Sequence, residues 1–348
     1  MAMIKTFSYR AKDATTSKTL AQMATAVNRV WNFANSAQEH ALRWNRPWPN
    51  SAVLCDLTAG SSKELGLHSQ TVQAVCQEYD TRRKQSKKRK LRWRGKRSLG
   101  WIPFKTSGVK VVNDTVRYAE HTFRFWLSRP IDGIIKTGNF SQDARGHWFV
   151  NFQCEVEDPA PSVGIGAIGI DLGLKDLATL STGEKIEAKQ FYRDLEPALV
   201  IAQRAGKKKR VQAIHAKIKN RRKDFLHQES TRLVRENGVI FVGDVNASKL
   251  AKTKMAKSVL DAGWSAFRTL LAYKAIAQQV RFDVVNERFS TQLCSECGAL
   301  GGPKGIAELG IREWVCSECG THHDRDVNSA KLILRSGHRT LAGGIPCL

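Results

Sequence analysis

Ile168-Gly169-Ile170-Asp171-Leu172-Gly173-Leu174 carries one carboxylate through a run of apolar residues to a glycine turn, and a second apolar run, Leu177 to Leu180, returns. The pattern reads as a β-hairpin with Asp171 on its first strand. A buried strand excludes charge, because an unpaired ionised carboxylate is costly to desolvate. Two readings of Asp171 therefore stand: a solvated turn aspartate, or a carboxylate that faces a divalent cation.

The residues that follow set the context. A third strand is expected near Lys185-Ile186-Glu187, then a long basic helical region from Leu195 to Glu236. Val239-Ile-Phe-Val242 reads as a buried strand ending at Gly243-Asp244, Val259 to Gln279 as a helix, and Val280 to Val285 as a last strand. Hairpin, strand, helix, strand, helix, strand describes an antiparallel meander followed by parallel crossover units. That is the order of an RNase H-like α/β sheet, in which metal-binding carboxylates gather at the carboxyl ends of the central strands.

Cys294-Ser-Glu-Cys297 and Cys316-Ser-Glu-Cys319 form two CxxC knuckles with 18 residues between them. Four thiolates at this spacing suit tetrahedral zinc, and a complete set leaves no open position, so the metal is structural. Gly298 and Gly320 follow the knuckles and let the chain turn back. Next comes His322-His-Asp324-Arg-Asp326-Val-Asn328, at the start of a C-terminal helix. Asp326 there is either an N-cap or a metal-binding carboxylate.

The 348 residues carry 56 Lys and Arg against 32 Asp and Glu, a net charge of +24. Such an excess points to a polyanionic partner, most often nucleic acid. An anionic membrane is the rival, weakened by the spread of the charge; no apolar run is long enough to span a bilayer, and Met1 to Arg10 has no signal-peptide pattern. With eight cysteines, four of them in the knuckles, a reducing and cytoplasmic setting is expected.

The front half is basic and aromatic. Ile4 to Arg10 reads as a strand, Thr19 to Trp44 as a helix, and a second helix runs from about His68 into the basic run. From Arg82 to Arg97, 11 of 16 positions are Lys or Arg: Arg82, Arg83, Lys84, Lys87, Lys88, Arg89, Lys90, Arg92, Arg94, Lys96 and Arg97. With no acidic partner expected at helical spacing, phosphate neutralisation is the better account of this run. Val109–Val112, Thr115–Tyr118, Thr122–Leu127 and His147–Val156 read as strands, which with residues 4–10 are expected to close a small barrel. Lys207, Lys208, Lys209 and Arg210, then Arg221 and Arg222, flank an apolar stripe on the later helix, suiting a helix that packs on a sheet and faces a nucleic-acid backbone.

Ile168-Gly-Ile-Asp171-Leu-Gly, Asn220-Arg-Arg-Lys-Asp-Phe-Leu-His227, Asp244-Val-Asn246, Thr291-Gln-x-Cys294-x-x-Cys297-Gly and His323-Asp-Arg-Asp326-Val-Asn-x-Ala330-Lys together resemble the TnpB family of transposon-encoded relatives of type V CRISPR effectors. The close resemblance covers roughly residues 160–335; the front half is similar in plan only. It implies a RuvC nuclease domain (162–289 and 322–336) with an inserted four-cysteine zinc ribbon (290–321), a wedge-like β-barrel (1–16 and 98–158) with an inserted helical recognition domain (17–97), and a tail (337–348). It also implies an RNA-guided DNA endonuclease, bound as a monomer or an RNA-scaffolded assembly to a guide RNA of the omega type from the transposon end. Such an enzyme reads a short motif beside a double-stranded target and cuts with two Mg²⁺ ions about 3.5–4 Å apart.

The family pattern asks for three acidic residues. The first maps to Asp171 and the third to Asp326, but Gly243 stands where the second, a Glu, is usual. One consequence would be a nuclease-inactive RNA-guided DNA-binding repressor; a sequence-specific DNA-binding protein or transposase is a further reading, which leaves Asp171, Asp326 and Asn328 unexplained. The other consequence is a relocated carboxylate. Glu287 ends the next strand, neighbouring strands lie about 4.8 Å apart, and Gly243 leaves room for its side chain. The expected cation site is then Asp171, Glu287 and Asp326; Asp244 is a second candidate, ranked lower because its side chain is directed to the opposite face, and the alternative for Glu287 is a surface carboxylate paired with Arg288 or a nearby Lys.

Overall fold

The computed structural model describes residues 3–12, 14–157, 164–245, 262–304, 308 and 310–341. They fall into two compact units, Met1–Glu157 and Asp158–Leu348. The linker expected at 158–161 lies outside the described residues, as does Asn246. No helix among the described residues is long and apolar enough to cross a membrane.

In the first unit, β1 (Met3–Arg10) buries Phe7 and Tyr9 and pairs antiparallel with β7 (Trp148–Val156), which buries Trp148, Val150, Phe152 and Cys154. With β2 (Trp101–Lys105) and β6 (Ile134–Gln142) they form a sheet of order β1-β7-β6-β2. A second sheet is the meander β3 (Val109–Val112), β4 (Thr115–Tyr118) and β5 (His121–Arg124). One bridge, Ala11 to Phe125, joins the two, and aromatic rings fill the space between, with Phe104 and Phe123 centred 5.3 and 5.1 Å from Phe140. The expected closed barrel is thus two sheets over a shared aromatic core. Strands β2 and β6 escape the sequence pattern for physical reasons. Pro103 interrupts β2, which tolerates it because it is an edge strand. In β6, Gly138 replaces an apolar residue because a Cβ there would stand 2.5 Å from the Phe104 ring.

Helices α1 (Ala14–Arg43), α2 (Ser51–Leu57), α3 (Ser61–Glu64) and α4 (Ser69–Ser86) lie between β1 and β2 in the chain. The stripe Leu20, Val27, Val30, Trp31 and Ala34 of α1 is buried at helical spacing, as is Val72, Val75, Cys76 and Tyr79 of α4. Helix α4 ends early, at Lys87 with φ +52°, so most of the basic run is not helical. Residues 91–94 are pinned to α1 instead: Asn35 exchanges hydrogen bonds with the Leu91 main chain, and Asn32 with that of Arg94.

The second unit holds a five-stranded sheet of order β10-β9-β8-β11-β12, made of β8 (Gly166–Leu172), β9 (Asp176–Leu180), β10 (Lys185–Glu187), β11 (Asn237–Gly243) and β12 (Arg281–Val285). β8 to β10 are antiparallel, and β11 runs parallel to both β8 and β12. This is the expected RNase H-like topology. The expected helical region is two helices, α5 (Phe191–Arg204) and α6 (Lys208–Glu236), parted at Gly206 with φ +64°. α7 (Trp264–Ala277) precedes β12, and α8 (Arg325–Leu341) closes the described chain, so residues 337–341, expected in a tail, continue that helix.

Strand alternation then sorts the residues by face. Ile168, Ile170, Leu172, Ile240 and Val242 pack with Leu226 and Leu233 of α6 and with Trp264, Phe267 and Leu271 of α7. Phe241 and Val285 pack with Ile333 of α8 on the other face. Helix α8 sits so close that a Cβ on Gly169 would stand 2.2 Å from the Ala330 carbonyl oxygen. Asp171 is in phase with Gly169, Gly243 with Phe241 and Glu287 with Val285, so all three positions belong to the face that α8 covers.

Candidate metal centres

Gly243 of β11 is paired with Val285 of β12, and Glu287 follows two residues beyond. A Cβ built on Gly243 would lie 2.5 Å from Glu287 Oε2 and 3.1 Å from Ile333 Cδ1. The carboxylate of one strand therefore occupies the space that a side chain on its neighbour would take. Its main chain is anchored from the same strand end, since the Glu287 N–H donates to Asp244 Oδ1 at 3.1 Å. Burial and the Asp244 charge raise the Glu287 pKa, with Arg268 opposing. Burial, then the charges of Glu287 and Asp326, hold the Asp171 carboxyl well above its ordinary range, against Arg325 and the Leu172 N–H. A carboxyl whose ionised form is disfavoured by burial and by two like charges suits a divalent cation, which reverses both penalties.

The first turn of α8 answers the choice left open for Asp326. The cap is Asp324, whose Oδ1 accepts from the N–H groups of Asp326 and Val327, each at 3.0 Å. Asp324 Oδ2 accepts from Lys185 Nζ at 2.6 Å. The Asp326 carboxylate is thereby left out of the cap; its charge acts on Asp171, and Arg312 Nη1 donates to both its oxygens at 3.1 and 3.4 Å. Asp324 had a sequence signal, being the carboxylate two residues ahead of the turn it caps. Arg312 had none, because its contact spans 14 residues of ribbon.

The four cysteine sulfurs lie within 4.8 Å of one another. Cys294 to Cys319 and Cys297 to Cys316 are each 3.6 Å, too far for disulfides and close to the roughly 3.8 Å edge of a tetrahedron with metal–sulfur bonds of about 2.3 Å. Gly298 and Gly320 turn the knuckles at φ +79° and +67°. The donor set fits zinc. No other set of three or more potential metal ligands among the described residues draws that close. Strands β13 (Glu313–Val315) and β14 (His322–Asp324) pair antiparallel, so 322–324, expected in the nuclease domain, forms the second ribbon strand. His323, buried, points Nε2 at Cys294 Sγ at 3.0 Å and lies against Trp314.

Residues 264–333 match a family model described as "Cas12f1-like, TNB domain", and 151–254 one described as "Probable transposase". A "Putative RNA-guided DNA endonuclease" of Streptomyces pristinaespiralis is 41% identical over 234 residues, 62% of this chain and 57% of that protein. A like-named protein of Escherichia coli (strain K12), InsQ, is 28% identical over 250 residues, covering 64% and 61%. TnpB-like protein L79 of Acanthamoeba polyphaga mimivirus is 25% identical over 240 residues, covering 60% and 45%. Over these stretches the chain is similar to the TnpB family. It aligns with less than two thirds of the length of these relatives. In fold it is similar to a Cas12f1 chain solved as a Cas12f1–sgRNA–target DNA complex, with a TM-score of 0.61 at 10% identity over 95% of this chain and 98% of that one.

The basic residues of the chain divide by environment. Lys87, Lys88, Arg89, Lys90 and Arg92 are exposed, as are Lys207, Lys208, Lys209, Arg210 and Arg221. Arg83 is not: it is 5% exposed, donates to Asp80 at 2.9 Å and lies under Trp48. Arg94 is half-buried and tied to Asn28, the Leu99 carbonyl and the Trp31 ring. Arg222 packs beside Gly263, half-buried. Acidic partners for the run do exist at helical spacing, contrary to expectation: Glu78 pairs with Arg82, and Asp80 with both Arg83 and Lys84. They precede the run, which is why a scan of the run alone misses them. Arg83 and Arg94 thus act in the architecture rather than toward a phosphate.

Proposed function

We propose that this protein is an RNA-guided DNA endonuclease whose cation site is Asp171, Glu287 and Asp326, with zinc held structurally by Cys294, Cys297, Cys316 and Cys319. The observation that carries the reading is the Glu287 carboxylate lying over Gly243, 2.5 Å from the missing Cβ. It supports an active nuclease over the inactive repressor, because the position that lacks its usual carboxylate is filled from the neighbouring strand.

Two Mg²⁺ ions at such a site supply an activated water and stabilise the leaving 3′ oxygen. Asp171, Glu287 and Asp326 would hold the cations, with the charges of Glu287 and Asp326 acting on Asp171. Asp244 fixes the main chain of Glu287, and Asp324 fixes the helix turn that presents Asp326. The guide would be a structured, omega-type RNA, held by the exposed lysines and arginines through its backbone. Pairing of its guide segment with the target strand would supply the sequence specificity. The names of the relatives and the net charge of +24 support nucleic-acid partners.

The test is to copurify the RNA, reprogram its 3′ guide, and follow Mg²⁺-dependent cleavage of a matching duplex with the flanking motif. Cleavage abolished by Asp171→Ala and by Glu287→Ala is expected. Guide-dependent binding without cleavage by the wild-type protein would leave the repressor reading in its place.

A further inference from the structure

Asn328 stands two residues past Asp326 in the first turn of α8 and is 1% exposed. Its side chain is wholly engaged with the ribbon. Oδ1 accepts from the Ser295 N–H at 2.8 Å, and Nδ2 donates to the carbonyls of Leu293 at 2.8 Å and Ser290 at 3.2 Å. Two of these three partners flank Cys294. On the other side of the same cysteine, the His323 ring meets the sulfur at 3.0 Å, and the next residue, Asp324, caps the turn that carries Asp326. A third tie joins the Arg325 N–H to the Arg312 carbonyl at 2.7 Å, and Arg312 reaches Asp326. The first knuckle and the turn that presents Asp326 are therefore one hydrogen-bonded body.

The ribbon has little else to hold it in shape. Its buried apolar cluster is Cys294, Trp314 and Cys316. In so small a module the metal supplies folding free energy, and loss of the metal unfolds it. Once the knuckle opens, Asn328 is left buried without its three partners, and the Asp324 cap loses the strand pairing that sets it. Asp326 then loses its fixed position relative to Asp171 and Glu287, which the sheet strands hold.

We propose that zinc occupancy of the ribbon is coupled to cation binding at the three carboxylates, with Asn328 and His323 as the positioning residues that transmit the coupling. The proposal rests on the reading of Asp171, Glu287 and Asp326 as a cation site. Coupling of binding free energies is reciprocal: the factor by which ribbon metal tightens cation binding is the factor by which the cation tightens ribbon metal.

The experiment uses the full chain. Mn²⁺ binding to the zinc-loaded protein is measured by electron paramagnetic resonance, and Co²⁺ in the ribbon is followed by its thiolate-to-metal absorption with and without Mg²⁺. Asn328→Ala is expected to keep the tetrathiolate Co²⁺ spectrum yet bind Mn²⁺ about tenfold more weakly, within the range typical of coupled sites. His323→Ala, which leaves the Asn328 contacts in place, should also weaken Mn²⁺, and His323→Gln, which keeps a donor, should recover most of the loss. In wild-type protein, Mg²⁺ should tighten Co²⁺ by the same factor that Co²⁺ tightens Mg²⁺. Wild-type Mn²⁺ affinity in both alanine variants would overturn the coupling alone. Wild-type protein that binds no Mn²⁺ would overturn the cation site itself, and the coupling with it.

Discussion

Replacing Gly243 by alanine separates the role of the Glu287 carboxylate from the stability of the fold. The added Cβ would stand 2.5 Å from Glu287 Oε2 and 3.1 Å from Ile333 Cδ1. Non-bonded atoms settle at about 3.5–4.0 Å, so the oxygen must retreat by roughly 1 Å while Ile333 yields by a few tenths. Glu287 is the flexible end of a side chain beyond the strand, so the backbone need not move. The stability change should stay within about 1 kcal/mol, or roughly 2–4 °C in melting temperature for a unit of this size. Catalysis is less forgiving: a 1 Å misplacement of a catalytic group costs on the order of 10²-fold, about 2.7 kcal/mol of barrier. The assay is single-turnover cleavage of a guide-matched duplex at saturating Mg²⁺, with melting temperature measured alongside. Gly243→Ala should cut roughly 10²-fold more slowly and melt near wild type, and Gly243→Glu should restore part of the activity lost in Glu287→Ala. Wild-type cleavage by Gly243→Ala would refute the cross-strand site, as would a Gly243→Glu, Glu287→Ala double variant no better than Glu287→Ala.

The raised Asp171 pKa gives a pH dependence of defined sign. Its destabilising effect is full above the raised value and fades as pH falls from there toward the ordinary 3.8. In a chelator, melting temperature should therefore improve over that window while Mg²⁺ affinity falls, because protons and cations compete for the same carboxylate; Asp171→Asn should flatten both curves in a calorimetric titration. Asp80→Ala should destabilise the first unit by roughly 3–5 kcal/mol, because it leaves the buried Arg83 guanidinium without its carboxylate, and a loss below 1 kcal/mol by denaturant unfolding would contradict that role. Replacing Lys87, Lys88 and Arg89 with alanine should lower the salt slope of RNA binding by about one for each phosphate no longer neutralised, with unchanged melting temperature; Arg83→Ala should instead lower the melting temperature.

The RuvC-like half was legible in the sequence because its signals are local. The apolar runs around Asp171 and from Val239 to Val242 mark central strands, since burial on both faces demands it. Two CxxC knuckles with glycines after them report a metal whatever surrounds them. The front half was less legible: β2 carries a proline and β6 a glycine where strands usually carry apolar residues, and both are tolerated because of the strand or ring alongside. Arg83 shows the same limit, since a basic run looks uniform until packing buries one member against Asp80 and Trp48.

By itself the sequence determined which groups the candidate site has at hand: Asp171, Glu287, Asp326, four cysteines, and a glycine where a carboxylate is usual. Which of them meet was decided only in three dimensions. That Glu287 covers Gly243 is set by the parallel register of β11 and β12, and that the Asp326 carboxylate is left out of the cap follows from Asp324 taking it. The strand order already pointed to the first, but its register, and the helix turn that gives the cap to Asp324, depend on strand pairing and helix docking that the spacing of residues along the chain does not fix.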